Sequence, residues 1–404
     1  MYFSRQQETV LAKIVQQFPA VLLTGARQVG KSTLLQKVFA DYAYLTLDDP
    51  MLLRQAKDEP YLFIHSATLP IILDEVQYAP EIFSLIKMLI DQKKQNGLFL
   101  LSGSQAFELM KNIKETLAGR IAILKLSGLS LREINQDLFN LPFIPNLDYI
   151  NQRNPQNNHH NIWQIIHQGS MPRLYQQETD WEIYYSSYVT TYIERDVRLM
   201  ANIENMTHFS KFMSSIASRS GELLNYYAVA QEVGIALDTV KRWVTILNAS
   251  GIIYLLQPFS NNHLKRSIKT PKVYMTDTGL MAYLTKWLTP QAIEFGAKSG
   301  QFFETFVINE IIKSFYNKGK EPPIYFYRDT NQKEIDLIIE HGRDIYPIEI
   351  KSTANPNKKQ VSAFDILYKN LSDDLDIHHG TIICQYPQKI WLTDNLVSLP
   401  YSYI

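Results

Sequence analysis

The sequence predicts an α/β protein of several domains, and three observations lead to this fold class. Five short apolar runs within residues 1–135 alternate with helix-like segments. A loop with two glycines joins the first of these runs to a helix-like segment. Residues 276–404 contain a second group of strand-like runs that follows a helical segment. A chain of 404 residues is too long for one ordinary hydrophobic core, so we expect two or three domains.

The composition is that of a globular protein, with 46% hydrophobic and 20% charged residues. The formal net charge is zero, so nucleic-acid binding would need a local basic patch. The one cysteine, Cys384, lies in an apolar run and cannot form an internal disulfide, which fits a reducing compartment. No apolar run approaches the ~18 residues that a membrane-spanning helix requires. We therefore expect a cytoplasmic protein without membrane contact.

Residues 1–135 are predicted to form a parallel sheet covered by helices on both faces, because strands and helices alternate along this segment. Sheets of this kind bind ligands at the carboxyl ends of their strands, so the polar residues that end the strands should share one edge. The predicted strands are 20–24, 42–47, 70–74, 98–102 and 121–126.

The loop after the first predicted strand fits the phosphate-binding pattern G-x-x-x-x-G-K-[ST] at every fixed position. In that pattern, successive backbone N–H groups and the positive end of the following helix point at one place, where a polyphosphate binds. Lys31 would reach the β and γ phosphates of ATP, and the Ser32 hydroxyl would ligate Mg²⁺. A glycine-rich turn without function is the alternative. The residues assigned to this Walker A site are Gly25, Ala26, Arg27, Gln28, Val29, Gly30, Lys31, Ser32 and Thr33.

Two acids close the third predicted strand, and small polar residues close the fourth. Asp74 can hold the Mg²⁺ that Ser32 also contacts, and Glu75 can polarise the water that attacks the γ phosphate, as in a Walker B motif. Ser104, with Ser102 as second choice, could bond the γ phosphate or the attacking water. The alternatives are a surface acidic turn and a turn rich in Ser and Gly.

Arg120 directly precedes the fifth predicted strand. In a ring of subunits, a residue at this position projects toward the nucleotide of the neighbouring subunit. An arginine supplied in this way accelerates hydrolysis by ~10³–10⁵, because it meets charge that develops on the γ phosphate. We therefore assign Arg120 as a catalytic arginine that acts in trans. The alternative is a surface arginine at a helix C-terminus.

Residues 1–135 resemble the core of AAA-type P-loop ATPases of bacteria and archaea, specifically those whose C-terminal region is a domain of unknown function. The resemblance extends along nearly the whole chain. It implies ATP hydrolysis and a homo-oligomeric ring, but it implies no physiological role. The similar stretches are 27–29, the pair Asp74 and Glu75, 102–104, 117–120, 169–172 and 191–197.

Residues 136–215 are predicted to form an insertion and then a helical lid over the nucleotide site. Residues 135–161 are rich in Asn, Gln and Pro, which indicates a surface loop. Helical spacing returns over 162–210 together with a stripe of tyrosines. Such a stripe more often packs in a core than binds a ligand.

Residues 216–275 predict a winged helix-turn-helix, whose second helix can enter a DNA major groove. The pattern is a helix over 226–233, a turn at Gly234, a helix over 238–249 and a strand over 251–256. Six basic residues and no acid lie between positions 241 and 275, namely Lys241, Arg242, Lys265, Arg266, Lys269 and Lys272. If all six contact phosphates, log affinity falls with log salt at a slope near ~−5. The alternative is a protein-contact domain whose charges are only solvated.

Residues 276–404 predict a nuclease-like fold of the restriction-endonuclease, PD-(D/E)XK type. Side chains two apart share one face of a strand, so Glu349 and Lys351 would face a cleft with Asp336. Carboxylates of Glu304, Asp336 and Glu349 would hold one or two Mg²⁺, and Lys351 would orient or deprotonate a water. Three converging acids would repel one another without a cation, so we expect a metal. The supporting elements are a helix over 300–310, a strand over 325–328 and a hairpin of 334–340 and 346–351 across Gly342.

The sequence as a whole predicts an ATP-hydrolysing motor or switch that uses ATP and Mg²⁺ and has a DNA-directed C-terminal half. The competing function is a regulatory switch whose C-terminal half binds proteins or DNA and cleaves nothing. A nucleotide sensor without hydrolysis is disfavoured, because Lys31, Asp74 and Glu75 are all present.

Overall fold

The computed structural model describes residues 2–103, 116–155, 161–176, 178–193, 206–260, 270–329, 331–371 and 375–404. These residues form three β-sheets with helices packed around them, which confirms the α/β fold class. In this described part of the chain, no helix combines the length and the apolar character needed to cross a bilayer.

The N-terminal sheet consists of parallel strands in the order β2-β3-β4-β1-β5. Alternate side chains of β1 pack on opposite faces, because successive residues of a strand point to opposite sides. Val21 and Leu23 enter one apolar core, whereas Ala20 and Leu22 enter another. Burial on both faces explains why this strand is an uninterrupted apolar run. The strands are β1 (Ala20–Thr24), β2 (Ala43–Thr46), β3 (Ile71–Asp74), β4 (Phe99–Gly103) and β5 (Ile121–Lys125), close to the five that the sequence predicts.

Helices connect β1 to β2, β2 to β3 and β3 to β4 in the manner of βαβ units. The helix that follows β2, Pro50–Asp58, shows which residues determine where a helix begins. Pro50 fixes the backbone of its first position, and the Asp49 carboxylate accepts hydrogen bonds from the N–H groups of Met51 and Leu52. The helices are α1 (Glu8–Val15), α2 (Lys31–Val38), α3 (Pro50–Asp58), α4 (Pro60–Ser66) and α5 (Ile82–Lys93).

A mostly helical segment follows the first sheet, as predicted. Its first helix starts with a capping box, in which Ser130 and Glu133 each bond the other's backbone N–H. A π-helical stretch, Val189–Ile193, extends its last helix. The tyrosines Tyr184, Tyr185 and Tyr188 are buried, which agrees with core packing. The helices are α6 (Leu131–Ile134), α7 (Leu147–Gln152), α8 (Ile162–Gln168), α9 (Arg173–Gln176) and α10 (Trp181–Tyr188).

Three helices and a two-stranded antiparallel sheet come next, and both helices of the predicted pair are present. Gly234, with φ of 78°, ends the first of the pair in the left-handed conformation that glycine adopts at little cost. The chain then turns directly into the second helix. The elements are α11 (Met206–Ser218), α12 (Tyr226–Val233), α13 (Leu237–Ala249), β6 (Ile253–Leu256) and β7 (Lys272–Met275).

The C-terminal sheet has the order β13-β14-β12-β10-β9-β8, with β11 beside β10. Strands β8, β9 and β10 are antiparallel to their neighbours, whereas β12 runs parallel to β10. The turn of the β9–β10 hairpin contains Gly342, at φ of 70°, where the sequence predicts it. The elements are α14 (Thr278–Leu284), α15 (Pro290–Phe295), α16 (Ser299–Tyr316), β8 (Ile324–Arg328), β9 (Glu334–His341), β10 (Asp344–Ile350), α17 (Phe364–Leu371), β11 (Asp376–Ile377), β12 (Gly380–Cys384), β13 (Ile390–Thr393) and β14 (Leu396–Pro400).

Helix α16 joins the two large sheets into one structure. Its buried Glu310 accepts a hydrogen bond from the N–H of Leu131, at 2.6 Å, and pairs with Lys313 at 2.7 Å. Lys313 also donates to the carbonyl of Leu129, at 2.9 Å. One apolar core extends from Leu11 to Ile404. The division into domains at 1–135, 136–215, 216–275 and 276–404 therefore stays a prediction.

Candidate functional site

The loop between β1 and α2 is shaped by two glycines. Gly25 has φ of 148°, and a Cβ at this position would lie 2.1 Å from the carbonyl oxygen of Leu126. Gly30 has φ of 95° and directly precedes α2. Both conformations favour glycine, so these two fixed positions of the pattern are required by the backbone. The loop leads to the first turn of α2, whose backbone N–H groups point out of the helix end.

Lys31 is buried at the start of α2, and its ammonium lies across the loop. It donates hydrogen bonds to the carbonyl oxygens of Gly25, at 3.1 Å, and Ala26, at 2.9 Å. Its positive charge and the positive end of the α2 dipole thus act at the same place. This arrangement fits a polyphosphate, as the sequence predicts.

Asp74 ends β3 at the carboxyl edge of the sheet, and two hydroxyl groups hold its carboxylate. The Ser102 hydroxyl donates to Oδ1, and the Tyr44 hydroxyl donates to Oδ2 at 2.8 Å. Burial and the hydrogen bond to Asp74 raise the pKa of Tyr44, so this hydroxyl stays a donor. Ser102 lies beside Asp74, whereas Ser104 falls outside the described residues.

The sequence interpretation missed Tyr44. The register pairs Thr46 of β2 with Asp74 of β3. Tyr44 therefore stands two residues before the partner of Asp74, on the same face of the sheet. A hydroxyl-bearing residue at that spacing on the neighbouring strand could have been recognised once the strand order was known.

Glu75 follows β3 with φ of 56° and ψ of 42°, a left-handed conformation that is uncommon for a residue other than glycine. Its carboxylate accepts a hydrogen bond from the side chain of Gln77. Strained backbone of this kind costs of the order of 1 kcal/mol and is concentrated at functional sites. The observed position, beside the loop, is the one that the sequence predicts for Glu75.

A cavity of about 390 Å³ lies against the loop. Glu75 lines it, and the middle segment of the chain contributes residues to its wall, so the lid over this site stays a prediction. Gly25 and Ala26 instead line a second cavity, of about 290 Å³. The lining of the first cavity includes Arg27, Gln28, Val29, Gly30, Lys31, Ser32, Thr33, Pro172, Arg173, Gln176 and Tyr192.

Arg5 is a second residue that the sequence did not indicate. Its buried guanidinium pairs with Glu133 at 3.0 Å and donates to the carbonyl oxygen of Val29, in the loop, at 2.8 Å. It also donates to the carbonyl oxygen of Ser127, at 2.7 Å. The segment before α1 thus fastens the loop to the chain that leaves β5. A single arginine among polar neighbours carries no periodic pattern, so the sequence could not reveal this role.

Arg120 lies at the opposite edge of the sheet from its own loop. The pairing of Ala20 with Ile121 puts it at the amino end of β5. Its guanidinium is paired with Asp91 at 2.7 Å, and the hydrogen bond from Arg120 lowers the pKa of Asp91. Arg120 therefore cannot reach the loop of its own subunit, and action on a neighbouring subunit stays a prediction.

Family comparison agrees with the loop and the sheet. Residues 17–135 match the family model described as "AAA domain". Residues 17–135 are therefore similar to AAA-type P-loop ATPase domains. The part of the chain beyond this ATPase domain matches two families that are described as domains of unknown function, DUF8612 over residues 159–291 and DUF4143 over residues 299–404.

Relatives that cover nearly the whole chain are also found. "Uncharacterized protein Rv2008c" of Mycobacterium tuberculosis and "Uncharacterized protein Mb2031c" of Mycobacterium bovis are each 26% identical over 398 residues, which is 98% of this chain and 82% of theirs. The similarity therefore extends beyond the ATPase domain to both segments that follow it.

Solved structures give weaker likenesses. The Walker-type ATPase PABY2304 of Pyrococcus abyssi is 15% identical with a TM-score of 0.45, covering 70% of this chain and 96% of that one. AMPPCP-bound DnaA of Aquifex aeolicus is 12% identical with a TM-score of 0.29, covering 60% of this chain and 88% of that one. Both scores are too low to compare geometry, so the assignment of the ATPase domain depends on the family match and the loop.

The basic residues assigned to DNA are only partly placed together. Lys241 and Arg242 are exposed on α13, the second helix of the pair. Lys265, Arg266 and Lys269 fall outside the described residues. Lys272 is 3% exposed and forms ion pairs with two glutamates, so its assignment to DNA was wrong. Its position within a basic run gave no indication of this burial.

The four residues of the predicted nuclease-like constellation do come together. Asp336 on β9 accepts a hydrogen bond from the Ile350 N–H of β10, at 2.8 Å. The Lys351 ammonium lies 2.5 Å from Oε1 of Glu349 and 3.4 Å from Oδ2 of Asp336. On α16, Glu304 accepts a hydrogen bond from the Tyr274 hydroxyl, at 2.6 Å. The β9–β10 hairpin and α16 thus supply the four residues, and their nuclease role stays a prediction.

The predicted metal at this cluster stays a prediction. Within the described ranges, no group of three or more His, Cys, Asp or Glu side chains is arranged to hold a metal ion. The physical reason is that lysines neutralise the carboxylates. The ammonium of Lys272 lies 3.5 Å from Glu304 and 2.6 Å from Glu334, and Lys351 serves Asp336 and Glu349. These lysines compensate the carboxylates, whereas Oε2 of Glu349 is buried without a hydrogen-bond partner.

The electrostatics of the cluster follow from burial. Burial and the nearby Asp336 carboxylate raise the pKa of Glu349 to about 8. Burial also raises the pKa of Glu304. For Lys272, burial alone would lower the pKa, but Glu304, Asp336 and Glu334 together raise it. The lysine is thus held in its charged form by the acids around it.

Proposed function

We propose that this chain is a Mg²⁺-dependent ATP hydrolase that acts on DNA or is regulated by it. The observation that supports this most strongly is the edge of the parallel sheet, where Lys31, Asp74 and Glu75 follow the carboxyl ends of β1 and β3. Phosphate binding, cation binding and activation of water need these three kinds of side chain.

ATP binding requires the ammonium of Lys31 to exchange acceptors. It now bonds two loop carbonyls, Gly25 and Ala26, and it would turn toward the β and γ phosphates. The Ser32 hydroxyl and the Asp74 carboxylate would hold Mg²⁺, which neutralises charge on the phosphates when bound. Tyr44 and Ser102 keep the Asp74 carboxylate oriented. Glu75 orients the attacking water and accepts its proton.

The direct test of hydrolysis uses the full chain with Mg²⁺ and ATP. Lys31→Ala is expected to lose binding of a fluorescent ATP analogue. Glu75→Gln is expected to bind the analogue. Its rate of phosphate release is expected to be at least ~100-fold lower than that of wild type, because the base that activates water is absent. Lys93→Gln, an exposed lysine on α5, is the matched control and should behave as wild type. Wild-type protein without nucleotide affinity or phosphate release would refute the proposal.

Contact between the loop and the helix pair supports coupling to DNA. A Cβ at Gly251, in the turn after α13, would lie 3.5 Å from the backbone nitrogen of Ala26. The Tyr188 hydroxyl donates to the carbonyl oxygen of Arg27, at 3.4 Å. A rearrangement of the loop on nucleotide binding therefore meets α13 and the lid directly. In the proposal, α13 is the DNA-reading helix of a winged helix-turn-helix.

Salt dependence tests DNA binding. With Lys272 excluded, five cations remain, and full engagement of phosphates predicts a slope of log affinity against log salt near ~−4.5. A labelled duplex titrated at two salt concentrations would measure it. The double variant Lys241→Gln/Arg242→Gln should reduce the slope by ~2, whereas Lys93→Gln/Lys94→Gln should leave it unchanged. Binding that ignores salt would exclude a phosphate-directed interaction.

A regulatory switch whose C-terminal half cleaves nothing is the second candidate. The pairing of Lys272 with Glu304 and Glu334 favours it, because a lysine occupies the acidic cluster. Comparing the ATPase rate without DNA and with duplex, single-stranded and branched DNA separates the two candidates. Stimulation by one form supports the first proposal, and indifference to all of them supports the switch. A homo-oligomeric ring is also proposed, and sedimentation with and without ATP would measure it.

A further inference from the structure

Lys272 comes from a part of the chain far from the acids that surround it. It is the first residue of β7, in the antiparallel pair with β6, and every residue of β7 is buried. The acids belong to α16 and β9. Its side chain is 4% exposed, and its ammonium also lies 5.7 Å from the centre of the Phe326 ring.

A buried ammonium is stable only where acceptors and negative charge compensate its lost hydration. Here Oε1 of Glu334 lies 2.6 Å away and Oε1 of Glu304 lies 3.5 Å away. The negative charge of Asp336 also stabilises the charged form of Lys272. These contacts give the lysine the electrostatic environment that a divalent cation would otherwise find.

A second cation in the same place would meet two obstacles. It would be repelled by the ammonium, and at Glu304 and Asp336 it would have to take carboxylate oxygens that already accept hydrogen bonds. Oxygen ligands of Mg²⁺ must come within about 2.0–2.1 Å, in near-octahedral order. Glu304 Oε1 is shared between Lys272 and the Tyr274 hydroxyl, and Asp336 Oδ2 is shared between Lys351 and a backbone N–H.

We propose that Lys272 is a built-in cation that takes the place of a metal ion, so that the acidic cluster of the C-terminal sheet binds no divalent cation. The lysine also ties β7 to α16 and β9 by charge. This inference does not depend on ATP hydrolysis, because none of its residues lies in the ATPase domain.

The test is the binding of Mn²⁺ to the full chain without nucleotide, measured by the loss of the free-ion electron paramagnetic resonance signal. Lys272→Met removes the charge and keeps most of the length of the side chain. It is expected to bind one more Mn²⁺ per chain than wild type. The affinity of this added site for Mn²⁺ should be at least tenfold higher than any affinity that wild type shows at these acids. Lys272→Arg keeps the charge and is expected to match wild type. Any site at Ser32 and Asp74 contributes equally to all three proteins.

The location of the new site is checked with Lys272→Met/Glu304→Gln, which should lose the added Mn²⁺. If Lys272→Met gains no ion, the lysine does not stand in for a metal and the proposal is wrong. It is equally wrong if wild type binds an ion that Asp336→Asn removes. Folding is monitored by circular dichroism. Should Lys272→Met not fold, wild type against Asp336→Asn decides alone, since equal Mn²⁺ stoichiometry supports the proposal and a difference of one ion overturns it.

Discussion

Arg5→Met tests whether the segment before α1 holds the phosphate loop in place. The guanidinium is buried, pairs with Glu133 at 3.0 Å, and donates to the carbonyl oxygens of Val29 and Ser127 at 2.8 and 2.7 Å. Methionine keeps most of the side-chain length and removes every donor. The substitution therefore changes hydrogen bonding and charge while leaving packing nearly intact.

The magnitude follows from the partners that remain. Removing one member of a buried ion pair costs ~3–5 kcal/mol, because the other charge is left uncompensated. Glu133 keeps two backbone donors, the N–H groups of Gln6 and Ser130, each at 2.9 Å. We therefore expect a loss near ~3 kcal/mol in the free energy of unfolding. The lost bond to Val29 is worth ~1–1.5 kcal/mol of loop order, so ATP affinity should fall about tenfold.

Urea unfolding followed by tryptophan fluorescence measures the stability, and titration with a fluorescent ATP analogue measures the affinity. Arg54→Met is the matched control. It breaks an arginine–aspartate pair of 3.3 Å whose side chains are 83% and 64% exposed, so no measurable change is expected. If Arg5→Met is as stable as Arg54→Met and binds the analogue equally well, the reasoning about this arginine is refuted.

Three further outcomes are expected. Gly25→Ala should abolish binding of the ATP analogue, because its Cβ would lie 2.1 Å from the Leu126 carbonyl oxygen; unchanged binding would contradict this. Arg120→Ala should bind ATP normally but lose turnover by ~10³ or more in a phosphate-release assay, and normal turnover would end the assignment in trans. The raised pKa of Glu349, about 8 against 4.5, means that stability is fully present below pH 4.5 and falls as pH rises through 8. Glu349→Gln should remove this part of the pH dependence in thermal melts, and an unchanged profile would count against it.

The sheet and the loop were predictable because their determinants are local. A strand buried on both faces is a continuous apolar run, and β1 has four apolar residues followed by the buried Thr24 before the first glycine of the loop. Gly25 and Gly30 are fixed by backbone conformations that other residues rarely adopt. The β9–β10 hairpin was predictable for the same reason, since Gly342 stands between two strand-like runs.

The parts that could not be predicted depend on contacts between distant segments. In the sequence, Lys272 is one of several cations in a basic segment. Only the contact of β7 with α16 and β9 shows that it is buried among acids. The argument that converging acids imply a metal took no account of this lysine. Tyr44 and Arg5 were missed because their roles depend on strand order and on the path of the chain before α1.

Helix α16 decides whether the protein can be divided. By sequence it begins the C-terminal segment, yet Glu310 and Ser314 accept the backbone N–H groups of Leu131 and Phe143. Separating the two halves would leave these peptide groups without partners and would expose apolar surface on both pieces. We therefore expect that neither half folds on its own. When the two halves are coexpressed as separate fragments, they should associate. A chimera that combines one half of this chain with the other half of a relative should not fold, because its two halves come from different proteins.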